Sequence, residues 1–283
     1  MLTNITLAKQ SYRIAVDSGV SLAISVCFND SKQQPNHFGA TPALASPMQA
    51  GSFVGDTEQG GSCNVNELTL NPHCNGTHTE TIAHICDASD HLATKIAALK
   101  LPAIMPCALI SITPILASKS RDSYSPPFNI QDRVIDHQQL ATQLTRYTNE
   151  QLQTVAIRTL PNSITKCQAA YHDKNQPAFL TREAVLYLNE RGVEHLILDV
   201  PSLDRLDDNG LLTCHHLFWH VAEGTHQASA NSLCNKTITE LAYIDNDIAD
   251  GFYFVNLQTP AFINDAAPSR PVLYLATPII DSE

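Results

Sequence analysis

The sequence predicts a mixed α/β fold, and three observations carry that prediction. Helix-start signals alternate with short apolar runs of strand type through the middle of the chain. Strand-type segments crowd its later part. The order of elements is interrupted, which argues against a simple doubly wound sheet. A helix is expected over Asp90 to Lys100, with Leu92, Ile96 and Leu99 on one face, then a buried strand over Ala108 to Ile115. Ser118 to Pro127 is a polar excursion holding Pro126-Pro127. Asp136 stands as an N-cap with Gln139 in the capping-box position, and Leu140, Leu144 and Tyr147 form the apolar stripe behind it. A short strand is expected over Val155 to Leu160. Thr181 caps a further helix, Gly192 sits where a left-handed C-terminal residue belongs, and an apolar strand follows from His195 to Val200. Later strands are expected over Lys236 to Ile244, Phe252 to Gln258 and Val272 to Ala276. Asn29 to Asn64, rich in Gly, Pro, Ser and Gln, reads mainly as loop and as a lid or pocket wall.

Composition narrows the function. The 283 residues are 43% hydrophobic, enough for a large core, while charged residues make up only 16%. The formal charge is −11 and no basic run exceeds two residues, which excludes the basic footprint needed for nucleic acid or an anionic membrane surface. Eight cysteines are scattered with no CxxC pair, a pattern that suits reduced thiols better than a disulfide framework. Met1 to Val16 has no uninterrupted apolar core of signal-peptide type, and the apolar stretch Leu101 to Ile115 is broken by Pro, Ser and Thr. The expectation is a cytoplasmic protein.

The most informative stretch is Pro72 to His84, which sets a thiol, three imidazoles and a carboxylate within thirteen positions. Borderline cations favour this donor mix. Asn75-Gly76-Thr77 supplies a turn that can swing Cys74 and His78 toward one point. His78 and Glu80, two apart, share a face of an extended segment, and His84 stands close by. The competing reading is a cysteine nucleophile, Cys74 or Cys86, served by His78 or His84 with Glu80 as orienter.

A second concentration, Cys214 to His220, includes His215, His216 and His220 and the chain's only Trp, Trp219. In a helix His216 and His220 share a face, and the bland reading leaves them solvated. Glu240 lies in an otherwise apolar row, Ile238-Glu240-Ala242, where a carboxylate needs a cation or a donor. Either a metal or a salt bridge to Arg270 or Lys236 satisfies that need.

Taken together, these segments resemble the cyclase-like metal-dependent hydrolases, the family of bacterial kynurenine formamidases and isatin hydrolases. The family signature His-x-Gly-Thr-His-x-Asp-x-Pro-x-His aligns on Gly76-Thr77-His78 and ends at His84. Cys74, Glu80 and Ile82 depart from its first His, its Asp and its Pro. Asp199-Val-Pro-Ser202-Leu-Asp204, His215 with Leu217-Phe218-Trp219, Ile238-Thr-Glu240-Leu241 and the closing Ala267-Pro-Ser-Arg270-Pro continue the likeness from about residue 50 onward, with Val221 to Asn235 as an insertion.

The resemblance implies a single domain over residues 1–283, a central barrel-like mixed sheet flanked by helices, and a homodimer or larger homo-oligomer. It implies Cys74, His78 and Glu80 at one metal, with Glu80, His215 and Glu240 at a second if two are bound. His84 is then the proton-transfer residue. Zinc, one ion or two, fits the Cys/His/carboxylate mix better than manganese. The expected reaction is metal-assisted hydrolysis of a small amide, N-formyl or cyclic, with Phe218, Trp219 and the aromatics of the Phe38 to Phe53 loop as candidate pocket walls. A lactone or cyclic imide hydrolase of the same family, and a metal-binding protein without turnover, are the alternatives.

Overall fold

The structure is a computed structural model that describes residues 1–87 and 94–280. Nine strands build its main sheet: β1 (Val20–Ser21), β2 (His78–Glu80), β3 (Met105–Ile112), β4 (Thr154–Thr159), β5 (His195–Leu198), β6 (Thr237–Glu240), β7 (Gly251–Asn256), β8 (Ala266–Pro268) and β9 (Val272–Leu275). Side by side they run β8-β2-β6-β5-β4-β3-β7-β9-β1, a curled half-barrel. The four central strands, β3 to β6, are parallel, and every flanking pair is antiparallel.

Side chains alternate across this sheet with period two. Ala108, Ile110, Val155, Ile157, Leu196, Leu198 and Ile238 pack into one core with Leu140, Leu144, Val185, Leu188, Phe218 and Trp219 of the helices. Cys107, Leu109, Ala156 and Ile197 point the other way, into a second core with Leu22, Tyr253, Val255 and Leu273. Burial on both faces explains why the central strands read as continuous apolar runs.

The helices are α1 (Pro72–Asn75), α2 (His137–Leu144), α3 (Arg182–Glu190) and α4 (Thr213–Trp219). The expected capping box forms at α2: the Gln139 N–H donates to Asp136 (3.0 Å) and the Asp136 N–H to Gln139 Oε1 (3.3 Å). Thr181 caps α3, accepting from the Ala184 N–H at 3.1 Å, and Gly192 beyond its end has φ +76°.

Several boundaries differ from the expectations. Of the expected Asp90 to Lys100 helix, residues 90–93 lie outside the described residues, and the rest holds only a 3-10 turn, Ile96–Ala98. The strand expected to reach Ile115 stops at Ile112, because Pro114 lacks an N–H to donate, and a separate two-residue strand resumes at Ile115–Leu116. The strand expected over Lys236 to Ile244 ends at Glu240, where Leu241 turns to φ +51°. Within Asn29 to Asn64 the structure holds part of two small ladders, Leu44–Pro47 with Asn66–Thr69 and Gln49–Ala50 with Phe53–Val54. Phe218 and Trp219 are fully buried and belong to the core, with the Trp219 indole donating to the Lys236 carbonyl at 3.0 Å. Among the described residues no helix is long and apolar enough to cross a membrane.

Candidate metal centre

Local chemistry positions β2 before any ligand is considered. Thr77 Oγ1 accepts from the Ile24 N–H (2.8 Å) and donates to the Leu241 carbonyl (2.5 Å), tying the start of β2 to the end of β6. The antiparallel register then sets His78 opposite Glu240 and Glu80 opposite Ile238, with Thr79 and Thr239 sharing a hydroxyl hydrogen bond of 2.7 Å. α4 follows the left-handed N-cap Leu212, whose φ is +44°, and delivers His215 to the same place.

Each imidazole facing the centre has its rear nitrogen engaged. His78 Nδ1 donates to the Gly76 carbonyl at 3.0 Å, and Nε2 faces inward, 3.5 Å from Glu240 Oε2. His215 Nδ1 donates to Asp204 Oδ2 at 2.6 Å, and its Nε2 stands 2.9 Å from Glu80 Oε1 and 3.9 Å from Glu240 Oε1. His73 Nε2 donates to Asp265 Oδ2 at 2.8 Å, leaving Nδ1 3.2 Å from Glu80 Oε2. Such backing by a carbonyl or carboxylate fixes tautomer and ring orientation at metal sites.

The centre is buried and charged. His78 and Glu80 have no exposed surface, and Glu240 and His215 very little. Burying an ion costs several kcal/mol unless a partner offsets it. Burial opposes ionisation of Glu80, but His84 and His215 outweigh it and hold the carboxyl well below the usual range. Burial likewise opposes protonation of His215, yet Glu80 and Asp204 raise it well above an ordinary imidazole. The same balance, with Asp265 and Glu80 overcoming desolvation, lifts His73 to about 10. Histidines that cling to protons among carboxylates mark a place built for positive charge.

Among the buried side-chain atoms that form no hydrogen bond, two face this centre: His78 Nε2 and Glu80 Oε2. A divalent cation accepts both, so the residues fit a metal. The ligand atoms of His73, His78 and Glu80 lie within 4.8 Å of one another, as do those of Glu80, His84 and His215, and those of His73, His84 and Asp265.

Of the five expected ligands, His78 and Glu80 share one such group and Glu80 and His215 another, while Glu240 belongs to none among the described residues but stands 3.5 Å from His78 Nε2 and 3.9 Å from His215 Nε2. The alternative ion pairs for Glu240 do not form. Lys236 binds Asn189 Oδ1 at 2.6 Å and Arg270 faces Ser21 Oγ at 3.3 Å, while Glu240 Oε1 accepts from the Leu203 N–H at 2.9 Å. Cys74 lies buried in α1, and no three-ligand group among the described residues includes its thiol. Burial and the Glu240 charge push that thiol up to about 11. Burial also raises Cys86. Both shifts run against a thiolate nucleophile.

His84 is half-buried at the rim, its Nδ1 3.4 Å from Asp265 Oδ2 and its Nε2 3.8 Å from Glu80 Oε2. Its ring stacks on His73 with centroids 4.4 Å apart. His216 is buried away from the centre and His220 is exposed. His37, from the expected lid segment, is buried behind the site; its N–H donates to the Cys74 carbonyl at 3.3 Å. Burial, with His78 and His73 nearby, lowers it to about 4.

Sequence reasoning passed over His73, Asp265 and the supporting role of Asp204. His73 lay inside the recognised cluster, and Asp204 in the quoted turn. Asp265 stands in no local pattern; only the pairing of β8 with β2 brings it to the site.

A family model described as "Putative cyclase" matches residues 19–205. None of the curated protein sequences matches the chain. Solved structures of the same fold include a predicted metal-dependent hydrolase from Bacillus stearothermophilus, 15% identical, covering 91% of this chain and 98% of that one with a TM-score of 0.57. Isatin hydrolase A from Ralstonia solanacearum is 14% identical, with 91% of each chain covered and a TM-score of 0.59. An isatin hydrolase bound to the product analogue thioisatinate is 12% identical, covering 91% of this chain and 92% of that one, also at 0.59. The family match spans more than half of the chain and includes Gly76-Thr77-His78 and His84, and on that ground the protein belongs to the putative cyclase family.

Proposed function

We propose that this protein is a metal-dependent hydrolase of a small amide, N-formyl or cyclic, with zinc as its metal. The observation that carries the reading is the buried pair His78 Nε2 and Glu80 Oε2, neither of them hydrogen-bonded, with His215 Nε2 and Glu240 turned toward the same place. His78, Glu80, His215 and Glu240 hold the metal, together with one side chain of α1, where the family pattern designates Cys74. When bound, the cation polarises a carbonyl and acidifies water.

The chain's own residues supply the proton transfer. Asp265 accepts from His84 Nδ1, which keeps Nε2 free on the side of Glu80. From there His84 Nε2 takes the proton of the attacking water and returns it to the leaving nitrogen. Asp204 holds His215 in the tautomer that presents Nε2. The isatin hydrolases among the structural neighbours favour a cyclic amide over an open one. Cytoplasmic location and a homo-oligomeric state, a dimer or larger, belong to the same reading.

The test is metal content of the purified protein by mass spectrometry, followed by an amide screen of the loaded enzyme and of His84→Ala. Bound zinc with turnover that His84→Ala abolishes supports the reading. Turnover confined to lactones or cyclic imides transfers it to the alternative hydrolase. Metal without any hydrolysis, unchanged in His84→Ala, leaves a metal-binding protein. Activity that survives chelation and is lost to thiol alkylation overturns it.

A further inference from the structure

The family signature puts its first histidine two residues before Gly76, and this chain has Cys74 there. His73, one residue earlier, occupies the geometry that such a ligand needs. We infer that this chain carries its first metal-ligating imidazole at His73, oriented by Asp265, and leaves Cys74 as a buried thiol that does not bind the metal. The inference rests on the metal-centre reading and deepens it.

Four observations support the assignment. Asp265 Oδ2 is an acceptor 2.8 Å from His73 Nε2, which keeps a hydrogen on that nitrogen and makes Nδ1 the one a metal would take in place of a proton. Nδ1 stands 3.2 Å from Glu80 Oε2, so imidazole and carboxylate face one point. The His73 and His78 rings are 4.9 Å apart at a steep angle, and the two imidazoles with Glu80 place one ligand atom each within 4.8 Å of the others. The Cys74 thiol joins no such group among the described residues.

Local structure explains the shift. α1 is a four-residue turn whose N-cap, Asn71, accepts from the His73 N–H at 3.0 Å, fixing the direction in which His73 leaves the backbone. The Cys74 carbonyl is held separately by the His37 N–H. Asp265 is fixed from the opposite side: its carbonyl accepts from the Thr81 N–H at 3.0 Å, and Ala266 next to it pairs with Glu80. A carboxylate immobilised behind an imidazole raises that ligand's basicity and selects its tautomer. Asp265 also accepts from His84, so one oxygen positions the ligand and the proton carrier together.

The test compares zinc and cobalt affinity in the full-length wild type, His73→Ala, Cys74→Ser and Asp265→Asn, alongside the near-ultraviolet spectrum of the cobalt-loaded wild type. Expected are a loss on the order of 100-fold or more for His73→Ala, near-wild-type binding by Cys74→Ser, and no thiolate-to-cobalt charge-transfer band. Asp265→Asn should weaken binding about 10–100-fold in the wild type and add little in the His73→Ala background. A charge-transfer band, or lost binding in Cys74→Ser, overturns the inference and leaves the metal-centre reading standing. Equal losses for Asp265→Asn in both backgrounds overturn the role of Asp265. A wild type that takes up neither metal overturns the metal-centre reading itself. The spectrum needs no variant, so a His73→Ala protein that fails to fold does not remove the test.

Discussion

His78 on β2 and Glu240 on β6 are direct antiparallel partners, and His78 Nε2 faces Glu240 Oε2 at 3.5 Å. Cross-strand neighbours stand close enough for one ion to bind both side chains. The centre is thus part of the sheet's own register, and a slip of one residue would turn both side chains to the other face.

Glu240→Gln tests that relationship. The amide oxygen can still accept from the Leu203 N–H, which Glu240 Oε1 does at 2.9 Å, so the fold should survive. Metal affinity should fall on the order of 100-fold because a charged ligand is gone. Equilibrium dialysis with zinc, checked by circular dichroism, measures both.

His84→Ala should leave metal content unchanged and lower kcat by about 100- to 10,000-fold, the range of a lost general acid–base. Its half-buried position at the rim predicts little effect on stability. Steady-state kinetics on the metal-loaded protein decide the point.

Asp204→Asn removes the carboxylate behind His215. Asp204 also accepts from the Tyr124 hydroxyl at 2.6 Å and the Cys214 N–H at 2.7 Å. Metal affinity should therefore drop about 10–100-fold. Melting temperature should fall as well, since a charge-assisted buried network loses a member. A variant with reduced stability and intact metal affinity would count against Asp204 as the group that orients His215.

His195 predicts acid sensitivity independent of the metal. It is buried, with Nδ1 2.9 Å from Thr237 Oγ1, and burial lowers it to about 4. A folded value below the unfolded 6.5 means that the unfolded chain takes up a proton first as pH falls. Stability is therefore full above about pH 6.5 and declines toward pH 4, by on the order of 3 kcal/mol from this residue. Denaturant midpoints across that range should decline less in His195→Asn than in the wild type.

Much of this protein is legible in its sequence because the signals are local. The Asp136 capping box, the Thr181 cap, the left-handed Gly192 and the apolar runs of β3 to β5 each depend on residues a few positions apart. The Pro72 to His84 cluster marks the centre for the same reason, and the lone carboxylate in the row of Ile238 and Ala242 marks Glu240. What required the folded chain was convergence over long range. The strand carrying Glu240 stops there because the Thr77 hydroxyl and the left-handed turn at Leu241 redirect the chain, which periodicity does not reveal. Asp265 has no local signature, and the pairing of β8 with β2 alone sets it between His73 and His84. Residue types and spacing determine which chemistry is available, whereas sheet register and the exit direction of a four-residue turn decide which nitrogens and oxygens meet.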